Sequence, residues 1–192
     1  MAFNVPVIFG SVRTERQGIK AARFVVKELQ SRGCEATLVD PMEIRLPLLD
    51  KMYKDYAPGT APEVLERLAQ LYRSADGFAI VSAEYNHGIP PALKNLLDHF
   101  LEEYFWRPSA IVSYSGGRFG GVRAAVQLRA VLCELGMPSI SSTLPIQQVQ
   151  KAFTDDGEPT NPSFREWNCA FFDEFLWYMD AFRTQRQKGT PY

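Results

Sequence analysis

Gly10-Ser11-Val12-Arg13-Thr14-Glu15-Arg16-Gln17-Gly18 sets a hydroxyl and two guanidinium groups between a short apolar run and a helical pattern. The start of a helix presents amides without acceptors and a positive dipole end. Ser11, Arg13 and Arg16 therefore suit a phosphate dianion. Neither the GxxxxGK[ST] nor the GxGxxG spacing is present, which excludes those two nucleotide loops. A second segment, Ala83-Glu84-Tyr85-Asn86-His87-Gly88-Ile89-Pro90-Pro91, follows the most apolar run. Tyr85 brings an aromatic face, Asn86 an amide, and Gly88 room for close backbone approach, as a planar heterocycle with a polar edge requires. The third, Ser113-Tyr114-Ser115-Gly116-Gly117-Arg118-Phe119-Gly120-Gly121, places four glycines in its last six residues. Amides exposed by glycines suit the carbonyl edge of a flat ring, and a phosphate cradle would have the same composition. A solvated polar loop, a plain strand-to-helix turn and a flexible turn are the respective alternatives.

What must position these segments is legible in the periodicity. Short apolar runs at residues 5–9, 36–39, 77–81, 110–112 and 139–144 alternate with helical stripes, the pattern of a parallel sheet wrapped by helices. Phe78-Ala79-Ile80-Val81 and Ala110-Ile111-Val112 are continuously apolar, which predicts central strands buried on both faces. Pro6 lacks an amide donor and is expected at a strand start or off the hydrogen-bond ladder. One stripe comprises Ile19, Ala22, Val26 and Leu29; another Val64, Leu65, Leu68, Leu71 and Tyr72; a third Val122, Ala125, Val126, Leu128, Leu132 and Leu135. Thr60 with Glu63, and Ser163 with Glu166, fit capping boxes. Residues 40–60 read as a long loop. The expected fold is α/β, a doubly wound sheet of five parallel strands. Helices cover both faces, and the three segments meet at the carboxyl ends of the strands.

The composition agrees. The chain has 192 residues, 46% apolar and 22% charged, which suits one domain over 1–192 with a core that needs no staples. A net charge of −1 gives no general field for nucleic acid, so any anion site must be built locally. Cys34, Cys133 and Cys169 form no CxxC pair, and His87 and His99 are the only histidines, so neither a disulfide framework nor a metal site is expected. No run approaches the ~18 apolar residues of a membrane span, and the N-terminus lacks a signal-peptide pattern. The expectation is a cytoplasmic protein without a membrane partner.

GSVRTERQG, AEYNHGIPPALKNLLDH and SYSGGRFGGVRAAVQLR together resemble the signature segments of the NADPH-dependent FMN reductase family, over roughly residues 3–150. The resemblance implies a flavodoxin-like sheet in the strand order 2-1-3-4-5, and phosphate contacts from Ser11, Arg13, Arg16, Gln17 and Gly18. It also implies ring contacts from Glu84, Tyr85, Asn86, His87, Ser115, Gly116, Gly117 and Arg118. The implied activity passes hydride from NADPH or NADH through bound FMN to small acceptors: flavins, quinones, azo dyes, chromate or ferric complexes. No side chain is expected to act as catalytic acid or base. The alternative is a flavodoxin-type carrier that binds FMN but lacks a pyridine nucleotide site. Two positions depart from the family, which usually has proline where Ala83 stands and often tryptophan where His99 stands; His99 is expected at an interface or on the surface.

Leu93, Leu96, Leu97, Phe100, Leu101, Tyr104 and Phe105 form a wide helical stripe, opposite Lys94, Asp98 and Glu102. With the family's habit of pairing through this helix, it points to a homodimer or homotetramer. Residues 161–183 read as an aromatic C-terminal helix carrying Trp167, Phe171, Phe172, Phe175, Leu176, Trp177, Tyr178, Met179 and Phe182, and residues 184–192 as frayed.

Overall fold

The computed structural model describes residues 2–192. Strands β1 (Asn4–Phe9), β2 (Glu35–Val39), β3 (Phe78–Ala83), β4 (Ser109–Tyr114) and β5 (Ser139–Ile146) form one sheet in the order β2-β1-β3-β4-β5. Every pairing is parallel, so all carboxyl ends lie along one edge. The order reverses between β1 and β3, where a crevice opens in doubly wound sheets. This is the expected architecture. All six residues of β3 and all six of β4 are buried. Their continuous apolarity follows from packing on both faces.

The two faces carry separate cores. On one, Phe9, Val81 and Val112 pack with Phe24, Val25 and Leu29 of α1 (Gly18–Ser31). On the other, Ile8, Phe78, Ile80 and Ile111 meet the helices that follow in the chain. After α2 (Pro41–Ile44), these are α3 (Glu63–Ser74), α4 (Pro91–Asp98) and α5 (Val122–Glu134). The short α6 (Val149–Ala152) and the long α7 (Phe164–Arg186) close the first face, through Val149, Phe171, Phe172, Phe175 and Met179.

Several local expectations are corrected. Residues 40–60 are not all loop, since they hold α2, capped by Asp40, and a 3-10 turn at Tyr53–Asp55. Pro6 is the third residue of β1, opposite Thr37, and pairing with β3 begins one residue later at Val7. Neither capping box forms. Thr60 donates its hydroxyl to the Ala57 carbonyl, and Glu66 instead accepts from the Ala61 amide. Ser163 already has helical φ and ψ, a conformation from which its side chain does not reach the free amides.

The stripe from Leu93 to Phe105 is broken, because α4 ends at Asp98 and Leu101 leaves helical geometry at φ −147°. Leu93, Leu96, Leu97, Phe100 and Tyr104 are buried against this chain's own sheet and α3. That burial accounts for the width of the stripe without a partner. His99 is neither surface nor interface. It is buried, with Nδ1 2.7 Å from the Asn95 carbonyl, and its own carbonyl accepts from the Tyr53 amide. On α5, Val126 is 70% exposed and Val122 is also exposed, so the inward stripe is Ala124, Ala125, Leu128 and Leu132. Trp167 and Trp177 of α7 face solvent. Helix α7 runs on to Arg186, so residues 184–186 are helical, while residues 189–192 are exposed and lie outside any element, with the Tyr192 ring 4.8 Å from that of Trp106.

Gly121 heads α5 at φ 77°, and a Cβ there would stand 2.7 Å from the Tyr114 carbonyl oxygen. Gly121→Ala combines a left-handed penalty with this backbone clash and is expected to destabilise the protein by about 2–4 kcal/mol. Chemical denaturation of the cofactor-free protein checks it; an unchanged midpoint would reject the close packing of this loop on β4.

Candidate functional site

At the carboxyl edge of the sheet, the segments following β1, β3 and β4 wall a cleft of about 690 Å3. That volume lies within the roughly 300–1,000 Å3 of small-molecule and cofactor sites. Of the residues singled out from sequence, Ser11, Arg13, Arg16, Gln17, Gly18, Glu84, Tyr85, Ser115 and Gly116 line it. Asn86, His87, Gly117 and Arg118 do not; they sit exposed on the two loops beyond.

The first wall is the turn into α1. Gly10 donates to the Val81 carbonyl, which anchors the turn to β3. Arg16 then folds back over it. Its guanidinium forms a two-pronged ion pair with Asp40, donates to the Ser11 carbonyl at 3.0 Å, and lies 5.2 Å from the centre of the Phe9 ring. Asp40 is only 3% exposed and also accepts from the Met42 amide. Arg16 is thus committed to shaping the loop, and the exposed Arg13 is the uncommitted cation at this wall. The first turn of α1 has no side-chain cap, so its amides remain available to a ligand. Gly18 lies so close to Tyr114 that an added Cβ would stand 2.0 Å from its ring. Only glycine lets the helix start this near β4.

The second wall is pinned from several sides. The Ser11 and Tyr85 hydroxyls share a hydrogen bond of 2.9 Å. Tyr85 and Gly88 exchange backbone bonds, turning the chain through Asn86 and His87, both left-handed at φ 49° and 66°. Gln127 of α5 donates to the His87 carbonyl. The loop that Ala83 leads into is therefore held by hydrogen bonds from three sides. Glu84 points to the start of α5, where its carboxylate accepts from the amides of Arg123 (3.0 Å) and Ala124 (3.4 Å). It acts as an N-terminal cap supplied from another loop, a role its sequence neighbourhood did not announce.

The third wall joins the glycine-rich loop to the segment after β5. Gln148 donates its amide to the Gly117 carbonyl, Val149 to that of Ser115, and the Gln150 side chain to that of Gly116. With these carbonyls engaged, the amides of Gly116 and Gly117 donate to no acceptor among the described residues. Tyr114, Val149 and Gln150 complete the lining together with Thr14, Glu15 and Ala83. Sequence reasoning missed Val149 and Gln150, which carry no charge, glycine or aromatic signal. Burial pushes the Tyr114 hydroxyl above the usual phenol range, against the lowering influence of the nearby Ser11 hydroxyl, so Tyr114 stays neutral.

Uncapped helix amides at one end and unengaged glycine amides at the other, with Tyr85 and Tyr114 between, fit FMN: a phosphate, a chain and a flat ring with a polar edge. The comparisons agree. The family model described as NADPH-dependent FMN reductase matches residues 3–151. The chain is 30% identical over 178 residues to a quinone reductase of Pseudomonas putida, covering 90% of this chain and 92% of that one. It is 45% identical over 183 residues to an NAD(P)H-dependent FMN reductase of Schizosaccharomyces pombe, covering 88% and 86%. Among solved structures, FerB, a flavoenzyme NAD(P)H:(acceptor) oxidoreductase from Paracoccus denitrificans, shares the fold with a TM-score of 0.74 at 23% identity, over 94% of this chain and 99% of that one. With the family model spanning most of the sequence and the cleft suited to the coenzyme that family uses, the chain belongs to the NADPH-dependent FMN reductases, oxidoreductases that work with FMN and NAD(P)H.

Proposed function

We propose that this chain is a flavin-dependent reductase that takes hydride from NADPH or NADH and delivers it to small oxidants, with flavins, quinones, azo dyes, chromate and ferric complexes as the acceptor classes. The observation that carries this reading is a single cleft joining the uncapped start of α1 to the unengaged amides of the glycine-rich loop. FMN, when bound, supplies the two-electron chemistry. Everything else asked of the protein is binding, orientation and electrostatics.

In this reading Ser11, Gln17, Gly18 and the first-turn amides of α1 hold the phosphate, with Arg13 adding its charge. Arg16 keeps that loop in shape through Asp40 rather than facing the anion. Tyr85 and Tyr114 flank the chain and ring, and Ser115, Gly116 and Gly117 offer donors to the ring's polar edge without a charged side chain. Glu84 orients α5 and its glycine-rich approach. Asn86, His87 and Arg118 lie on the outer rim, where a nicotinamide donor enters; Arg118 faces the 2′-phosphate that distinguishes NADPH from NADH. No side chain is assigned as acid or base. Residues 1–192 act as one flavin-binding unit. Association into a homodimer or homotetramer stays part of the proposal, resting on the exposed Val122 and Val126 of α5 rather than on the buried stripe of α4.

The direct test is NADPH oxidation by the purified yellow protein with a quinone present; a colourless protein that ignores added FMN would reject the reading, and a yellow one inert to NADPH and NADH would make it a carrier. Arg13→Ala is expected to weaken FMN binding about 10- to 100-fold, the loss of one charge-assisted contact. Fluorescence titration measures it, and unchanged affinity would remove Arg13 from the phosphate site. His87→Ala should retain most of the turnover, whereas a drop of about a hundredfold in kcat at saturating FMN would make His87 a proton donor after all. Arg118→Ala should narrow the ratio of kcat/KM for NADPH over NADH; an unaltered ratio would take Arg118 out of nucleotide discrimination.

A further inference from the structure

A second pair of cavities lies at the opposite end of the sheet, where β3 and β4 begin. One, of about 670 Å3, is lined by Glu102, Phe105, Trp106, Arg107, Arg186 and Tyr192. The other, of about 360 Å3, adjoins it through Trp106 and Arg186 and is walled by Ala181, Phe182 and Pro191. Residues 189–192 form a strap along both, held by Tyr192 packing 4.8 Å from Trp106 and 5.7 Å from Phe105. The first cavity is cationic and the second apolar.

The charge in the cationic half is incompletely answered. Arg107 makes three hydrogen bonds, to the carbonyls of Arg73, Ala75 and Phe105, and none to a carboxylate. Burial, and next the charge of Arg186, push its pKa down to about 10. Arg186 donates to the Trp106 carbonyl and pairs with Asp76, but Asp76 is shared with Arg183. Burial likewise lowers the pKa of Arg186. Two partly desolvated guanidinium groups thus repel each other, with Asp76 shared, Glu103 engaged by Arg73 and the exposed Glu102 on the cavity wall, and each retains unused N–H donors. Between the halves, Nε1 of Trp106 is buried and has no hydrogen-bond partner. Trp106 is held at φ 62°, bonded through its amide to the Gly136 carbonyl.

We propose that these paired cavities form a second binding site, for a carboxylate carried on an apolar body. The carboxylate lies between Arg107 and Arg186, where planar guanidinium groups match its geometry. The apolar body runs past Trp106 against Ala181, Phe182 and Pro191. This ligand answers the unused guanidinium donors and the apolar wall together; an inorganic anion leaves the apolar half unused, and a neutral apolar molecule leaves the arginines unanswered. The site shares no residue with the flavin cleft, so it stands or falls independently of the function proposed above.

Calorimetric titration of the FMN-loaded protein with decanoate, decanol and inorganic phosphate tests this, alongside the indole N–H resonance of Trp106 in a 15N-labelled sample. Decanoate is expected to bind and shift that resonance, and decanol to bind at least about tenfold more weakly, the loss of a charge-assisted contact. Phosphate should leave the resonance in place. Arg186→Gln should weaken decanoate binding by about tenfold or more. Because that substitution also loosens Asp76, Ala181→Trp on the exposed face of α7 provides a second check by filling the apolar half, with FMN affinity unchanged in both variants. Absence of decanoate binding at millimolar concentration, equal binding of decanol, or undiminished binding by Ala181→Trp would each overturn the proposal.

Discussion

The ion pair between Arg16 and Asp40 holds the candidate site in shape. It ties the turn after β1 to the carboxyl end of β2, and the Arg16 guanidinium simultaneously braces the Ser11 carbonyl and covers the Phe9 ring. Asp40 is buried, so removing either partner would strand a charge and cost about 3–5 kcal/mol. The pair converts a polar loop into a fixed one, with the α1 amides turned toward the cleft. A phosphate-binding loop must be preorganised in this way, because amides that wander lose to ordering entropy what they gain in contact.

From that anchor the walls lock to one another in series. Ser11 meets Tyr85, the loop of Tyr85 is held by Gln127 of α5, Glu84 caps α5, and the glycine-rich approach to α5 is fastened to the segment after β5. Each link is a hydrogen bond between neighbouring walls of the cleft or between a wall and α5. The sheet sets their spacing, and the links set which way each backbone faces. Gly18 and Gly121 are the points where backbone and the Tyr114 residue approach too closely for any side chain.

The two ends of the sheet are built on opposite terms. The carboxyl edge leaves amides unengaged around an open cleft. The amino edge engages carbonyls with arginine: Arg107 covers the end of α3, Arg186 holds Trp106, and α7 with the strap after it closes over them. Positive charge beside the carbonyl end of a helix is favourable in itself. Here Arg107 engages only carbonyls and keeps donors unused, and the second site proposed above rests on those donors.

The five strands, their burial and the three loops that follow them are legible in the sequence, because strand burial and helix periodicity are properties of neighbouring residues, whereas the strand order comes with the family resemblance. Phe78-Ala79-Ile80-Val81 needs both faces covered wherever it is placed, and nine of the thirteen proposed site residues do line the cleft. Partners distant in the chain were not legible. Arg16 and Glu84 have the chemistry of ligand contacts, and only the folded chain brings Asp40 to one and the α5 amides to the other. The stripe from Leu93 to Phe105 has the pattern of a dimerising helix, yet a break after Asp98 turns it into this chain's own core. Gln150 and the Trp106 cavity carry no local pattern at all. Periodicity reports that a residue needs burial or a charge needs an opposite, but which group answers that need is decided by the distances that tertiary packing creates.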